Sequence, residues 1–157
     1  MAKAKTLKAT VGAGVAAVLL TYVPSFEGMV LRGYKDPIGI VTACAGHTKT
    51  AVLGRPYTQA ECLVLLEKDL VEHAEPVLAC TPALKDKPGP LAGAVSLAFN
   101  IGAPKYCGSS AARRFNAGDI AGGCAAIEMW NKAGGKVLPG LVKRRATERA
   151  ICEGRVL

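Results

Sequence analysis

The feature that most narrows the fold is residues 9–23, ATVGAGVAAVLLTYV, an uncharged run preceded by MAKAKTLK with Lys3, Lys5 and Lys8. A basic leader followed by an apolar core has the form of a secretory signal. The run is short for a stable span, because a helix needs about 20 apolar residues to cross the hydrocarbon core. Gly12, Gly14 and several alanines dilute it further. A cleavage site is missing: the segment TYVPSFEG puts Tyr22 and Pro24 where small residues at alternate positions are needed. The segment is therefore expected to be exported and retained, a marginal span able to sit in a bilayer and later leave it. A buried core helix of a cytosolic protein and an ordinary cleaved signal are the alternatives.

Export bears on the cysteines. Cys44, Cys62, Cys80, Cys107, Cys124 and Cys152 are dispersed, with no CxxC pair, and only two histidines accompany them. That pattern argues against zinc and for disulfides in an oxidising compartment; six reduced thiols are the cytosolic alternative. The net charge of +8 suits an acidic partner, whether nucleic acid, anionic lipid or an anionic wall polymer, and does not choose among them.

Apolar content of 50% with only 5% aromatics comes largely from Ala, Val and Leu and favours helices. Residues 28–57 differ: YKDPIGIVTACAGHT predicts strands and turns, with Asp36-Pro37 and Gly39 as turn formers. At Thr58 the pattern changes. TQAE is a capping box, and Leu63, Leu66, Leu70 and Val77 recur at helical spacing, which predicts one helix over 59–79. LAGAVSLAFNIG predicts a buried helix ending near Gly102. Asp119 caps a predicted helix running to about Lys132, stopped by Gly134-Gly135, and a last helix runs from Pro139 to Gly154. The class is α+β.

Most acids sit in these helices. Glu61, Glu67, Asp69, Glu72 and Glu75 have the spacing of a solvated face, and Glu148 sits among arginines at exposed spacing. Glu27 and Asp36 instead flank the turn-rich region. Hydrolysis of a glycosidic bond needs two carboxyls in different states, one dry enough to hold a proton and one wet enough to stay ionised. Glu27 beside Phe26 fits the first and Asp36 in a turn the second, with the Thr42 hydroxyl able to hold a water. Structural turn or cap roles are the ordinary reading of acids so spaced. His47 has no triad partners, and an ion pair with a carboxylate is its simplest role. No phosphate-binding glycine loop is present, and LVKRRATER is expected to be a solvated basic helix.

Glu27, eight residues, Asp36, five residues, Thr42, then GHT at 46–48, resembles the catalytic signature of the phage lysozymes of glycoside hydrolase family 24. The similarity continues through YTQAECLVLLEKDL, AFNIGA and MWNKAGGKVLPGLVKRRATER, over roughly residues 25–153. The retained N-terminal run is similar to that of the signal-arrest-release endolysins within the family. The resemblance implies a lysozyme-like fold: a small β-containing lobe and a larger helical lobe joined by a long helix, with a cleft between. It implies an uncleaved anchor over 1–24 and a muramidase domain over 25–157. Glu27 would be the general acid, and Asp36 with Thr42 would activate water, inverting the anomeric carbon. The substrate would be the β-1,4 bond between N-acetylmuramic acid and N-acetylglucosamine.

Further expectations come with the family. Arg145 would support the acid, with Arg144 as rival; His47 would pair with Asp69 and brace the lobes; Thr48 and Phe99 would line the cleft. The pairing would be Cys44–Cys62, Cys80–Cys107 and Cys124–Cys152. No metal or cofactor is implied. Partners would be peptidoglycan strands, the host inner membrane through residues 9–23, and anionic outer-membrane lipid, but no nucleic acid. A monomer would pass from the inner membrane, tethered and inactive, to the periplasm, released and active. Asp36 is intact and residues 1–43 contain no cysteine, so control by an anchor thiol is out of reach. A membrane-anchored or membrane-active protein that binds peptidoglycan or lipid without glycosidase activity is the alternative.

Overall fold

A computed structural model describes residues 2–156. The apolar run does not form one helix. Thr6 caps α1 (Leu7–Val11) by accepting from Ala9 N, and Gly12, at φ +89°, ends it. That backbone conformation suits glycine because it has no Cβ. α2 (Ala13–Glu27) carries the rest of the run. Among the described residues no helix is long and apolar enough to cross a membrane. Leu7, Val11, Val15, Leu19 and Val23 are buried, at the spacing of a single stripe continued across the break. The stripe packs on α3 (Gln59–Cys80) and α4 (Pro88–Ile101). Burial of each such side chain stabilises by about 1.5–3 kcal/mol, so in this conformation the run belongs to the core. Polar contacts fix it: Leu7 N donates to Glu67 Oε1 at 3.1 Å, and Lys5 pairs with Glu75 at 2.6 Å.

The small lobe follows Gly28. β1 (Val30–Lys35) and β2 (Val41–Cys44) pair antiparallel, Tyr34 opposite Thr42 and Lys35 opposite Val41. Residues 52–57 run along the other edge of β1: Gly33 N donates to Arg55 O and Tyr57 N to Leu31 O, both at 2.9 Å. A Cβ on Gly33 would stand 1.9 Å from Val52 O, so this approach requires glycine. The Cys44–Cys62 disulfide ties β2 to the start of α3.

The predicted capping box opens α3: Thr58 Oγ1 accepts from Glu61 N at 3.1 Å, and Glu61 Oε2 accepts from Thr58 N at 2.8 Å. α3 then runs from the small lobe into the helical one. There α4 is central, surrounded by α5 (Ala103–Cys107), α6 (Ser110–Asn116), α7 (Ile120–Ala126) and α8 (Pro139–Cys152). Gly89 and Gly93 let the backbone of α8 approach α4; a Cβ at Gly89 would lie 2.8 Å from Cys152 O. The remaining disulfides are Cys80–Cys107 and Cys124–Cys152, the pairing that the resemblance implies.

One predicted element differs. The helix after Asp119 ends at Ala126 rather than near Lys132, and a 3-10 turn, Ile127–Met129, follows. Gly134-Gly135 does not merely stop a helix. Both glycines have positive φ and join a short hairpin, β3 (Lys132–Ala133) with β4 (Lys136–Val137). Two successive residues at positive φ make the turn whose twist matches paired strands. The architecture is α+β, as expected.

Candidate active site

Glu27 is the last residue of α2. It lies four residues beyond buried Val23 and eight beyond buried Leu19, so its side chain leaves the helix on the buried stripe. This explains why a charge closely follows the apolar run. Gly28, at φ +74°, ends the helix, its N–H donating to Pro24 O at 2.9 Å. The C-terminal end of a helix carries partial negative charge and is a poor place for a carboxylate. Arg144 offsets this: its Nη1 lies 2.5 Å from Glu27 Oε1.

Arg144 is held in turn. Its Nε donates to Glu148 Oε1 at 3.1 Å, which also accepts from Ser96 Oγ at 2.7 Å. Arg145 donates to Glu148 Oε2 through Nη1, to Asn100 Oδ1 through Nη2, and to Trp130 O through Nε at 2.7 Å. Glu148 is 0% exposed and Arg145 1%. The expectation of a solvated α8 face is therefore wrong for Arg144, Arg145 and Glu148. Buried charges persist only when paired and hydrogen-bonded, and here two guanidiniums share one carboxylate. The residue touching Glu27 is Arg144; Arg145 is linked to it through Glu148 and then Arg144. Arg144 Nη2 is buried without a hydrogen-bond partner among the described residues, but the guanidinium lies 4.7 Å over the Phe26 ring. The π face takes the place of an acceptor.

Glu27 opens on a pocket of about 190 Å³ between the lobes, whose wall includes Gly46, Thr48, Asp69, His73 and Phe99. Oε1 is taken by Arg144. Oε2 faces Gly46, where an added Cβ would lie 3.6 Å away. Thr48 and Phe99 thus stand in one wall with Glu27.

Asp36 and Thr42 do not line this pocket; they share the β1–β2 hairpin. Asp36 Oδ1 accepts from Ile38 N at 3.0 Å and Ile40 N at 2.8 Å, which leaves Oδ2 free of backbone partners among the described residues. Thr42, 5% exposed, donates its hydroxyl proton to Ile40 O at 3.1 Å. The Ile40 peptide groups therefore connect the two side chains. His47 Nδ1 lies 2.8 Å from Asp69 Oδ2, and Thr50 N donates to His47 Nε2 at 3.1 Å. Nε2 is thus an acceptor, and Nδ1–H donates to Asp69. The small-lobe turn is pinned to α3 by this bond and by the nearby disulfide.

The arginine–glutamate network is not among the features expected from the sequence. Its signal was present: Arg144 and Arg145 stand four and three residues before Glu148, the spacing of facing pairs on a helix. Helical spacing alone does not say whether that face meets solvent or core.

The two-lobed α+β fold thus sets one half-buried carboxylate in a pocket between the lobes, a placement compatible with the hydrolysis of a glycosidic bond. Residues 24–148 match the phage lysozyme family. The SAR-endolysin of Enterobacteria phage P21 is 42% identical, over 94% of this chain and 93% of its own. The active form of the P1 phage endolysin Lyz shares the fold with a TM-score of 0.82 at 20% identity, covering 96% of this chain and 91% of that one. The secreted inactive form of the same endolysin superposes less well, with a TM-score of 0.58 at 17% identity over 91% of this chain and 96% of that one. The chain belongs to the phage lysozyme family; it is a lysozyme-type glycoside hydrolase.

Proposed function

We propose that this protein is a phage endolysin that cleaves the β-1,4 bond between N-acetylmuramic acid and N-acetylglucosamine in peptidoglycan, with Glu27 as acid and Asp36 as base. The observation that carries the assignment is the division of Glu27: one oxygen bound to Arg144, the other open to the interlobe pocket. Oε2 is the oxygen suited to carry a proton to the departing sugar oxygen. Once it has done so, Arg144 balances the new carboxylate. On the small-lobe side, Thr42 has committed its proton to Ile40 O, so its oxygen is an acceptor. A water donating one hydrogen to Thr42 Oγ1 and the other to Asp36 Oδ2 turns a lone pair outward. That lone pair attacks the anomeric carbon, Asp36 takes the water proton, and the glycosidic bond breaks as Glu27 protonates its oxygen. One water is consumed, and attack from the face opposite the leaving group inverts the centre.

Residues 1–24 act as an uncleaved anchor and 25–157 as the muramidase domain. While residues 9–23 lie in the host inner membrane, Leu19 and Val23 are absent from the core and α2 cannot present Glu27 to Arg144. On release into the periplasm the run becomes the stripe that completes the helical lobe. Two features support this order: the core role of the run and the greater likeness to an active than to an inactive endolysin fold. The released enzyme acts as a monomer, and its +8 charge favours approach to the anionic wall and to anionic outer-membrane lipid.

The test is turbidity loss of cells with exposed peptidoglycan, together with NMR of the first-formed anomer. Glu27→Gln and Asp36→Ala should each lower the rate by about 10²–10⁴-fold, and the parent should release the α-anomer first. Parental rates in both variants would sink the assignment; β-anomer first would replace the inverting route by a covalent one.

A further inference from the structure

We propose that His73 positions the substrate by accepting a hydrogen bond from a sugar acetamido N–H at Nε2. This inference rests on the glycosidase reading of the cleft. His73 lies one turn after Asp69 on α3, half-buried, and its Nδ1 is 2.7 Å from the Asp69 carbonyl oxygen. A carbonyl can only accept, so Nδ1 carries a proton, and in the tautomer with that single proton Nε2 is an acceptor. Among the described residues no protein group bonds Nε2. The nearby carboxylates are engaged elsewhere: Asp69 binds His47, and Glu72 pairs with Lys49.

The neighbours narrow the ligand. The Phe99 ring packs against His73, with centroids 5.1 Å apart and planes tilted by 55°, and both rings line the pocket of Glu27. Asn100 lines it too. Its Oδ1 must face Arg145, which can only donate, so its amide N–H groups are left for another partner. An acceptor, an apolar ring and an amide donor in one wall match the three parts of an acetamido group. The N–H meets His73, the methyl covers Phe99, and the carbonyl accepts from Asn100. A sugar hydroxyl would satisfy Nε2 but leave Phe99 bare. Lys49, Glu72, Asp69 and Glu27 are the charged groups around this wall, and none supplies a neutral acceptor.

Binding of chitin oligomers, which carry an acetamido group on every sugar, tests this by titration calorimetry, beside kcat and KM on peptidoglycan. Binding needs no turnover, so failure of the glycosidase reading, seen with Glu27→Gln, is separable from failure of this one. His73→Phe keeps the ring contact and removes the acceptor; it should weaken oligomer binding and raise KM by about three- to tenfold, with kcat nearly unchanged. His73→Gln keeps an acceptor and should recover most of the loss. Equal binding by the parent and His73→Phe overturns the proposal. So does an equal loss in both variants, which marks a merely structural ring.

Discussion

Glu27 and Asp36 stand nine positions apart, yet the chain holds them in opposite ways. The partner of Glu27, Arg144, comes from 117 residues away, and it is itself fixed by Glu148, which Ser96 and Arg145 hold in turn. Asp36 is held by the amides of Ile38 and Ile40, two and four residues on. Glu27, the proposed acid, is thus placed by the packing of α2 and α8 on α4, and Asp36, the proposed base, by its own turn. A local turn forms whenever the hairpin forms. A long-range ion network forms only when the whole helical lobe is assembled, the N-terminal stripe included. On the proposed mechanism, the acid is therefore the half that anchor release can switch.

This contrast can be broken by experiment. The largest effect is expected from Glu148→Ala, which leaves Arg144 and Arg145 buried without their shared carboxylate. Loss of one partner from a buried charge network costs about 3–5 kcal/mol, read as a lower midpoint in urea unfolding, and activity should fall with it. Glu148→Gln keeps the shape and should cost less. If Glu148→Ala unfolded at the parental midpoint, the acid side would not depend on the network.

Asp36→Ala is the counterpart on the hairpin side. Its carboxylate bonds are local and largely exposed, so stability should change by about 1 kcal/mol, while turnover collapses. A loss of stability as large as that of Glu148→Ala would erase the difference between the two sides.

The smallest effect is one of pH, at the capping box that joins the small lobe to α3. The Thr58 backbone N–H, together with its hydroxyl and Arg55, holds the Glu61 carboxyl below the usual range. A folded-state value below the unfolded one means that this stabilisation is present above the unfolded carboxylate pKa of about 4.3. It is lost as pH falls through the folded value. The difference in Tm between parent and Glu61→Gln should be constant near neutral pH and shrink below about pH 4. A difference that grew on acidification would have the wrong sign.

How much was legible in the sequence differs between the same regions. The hairpin was readable because Asp36-Pro37 and Gly39 are local turn chemistry, and α3 because Thr58 and Glu61 satisfy one another across one turn. The β3–β4 hairpin is legible in principle, since adjacent glycines favour its turn, but the same pair also serves to stop a helix. For Arg144, Arg145 and Glu148 the sequence misleads, because a charged helix is usually exposed. Nothing local in KRRATER says that Gly89 and Gly93 bring α8 against α4, or that Glu27 arrives from the other side.

The sequence by itself determined the α+β class, the capped long helix, the turn that holds Asp36 and the uncharged character of residues 9–23. Each depends on neighbours within a few positions, where backbone geometry and hydrophobic period act directly. The tertiary structure alone decided that the uncharged run breaks at Gly12 and forms a core stripe. It also decided that Val23 and Glu27 share that stripe, and that Arg144 rather than Arg145 meets Glu27. Those outcomes depend on which faces of α2, α4 and α8 come together. Only the assembled lobe removes enough water to make buried charges seek one another.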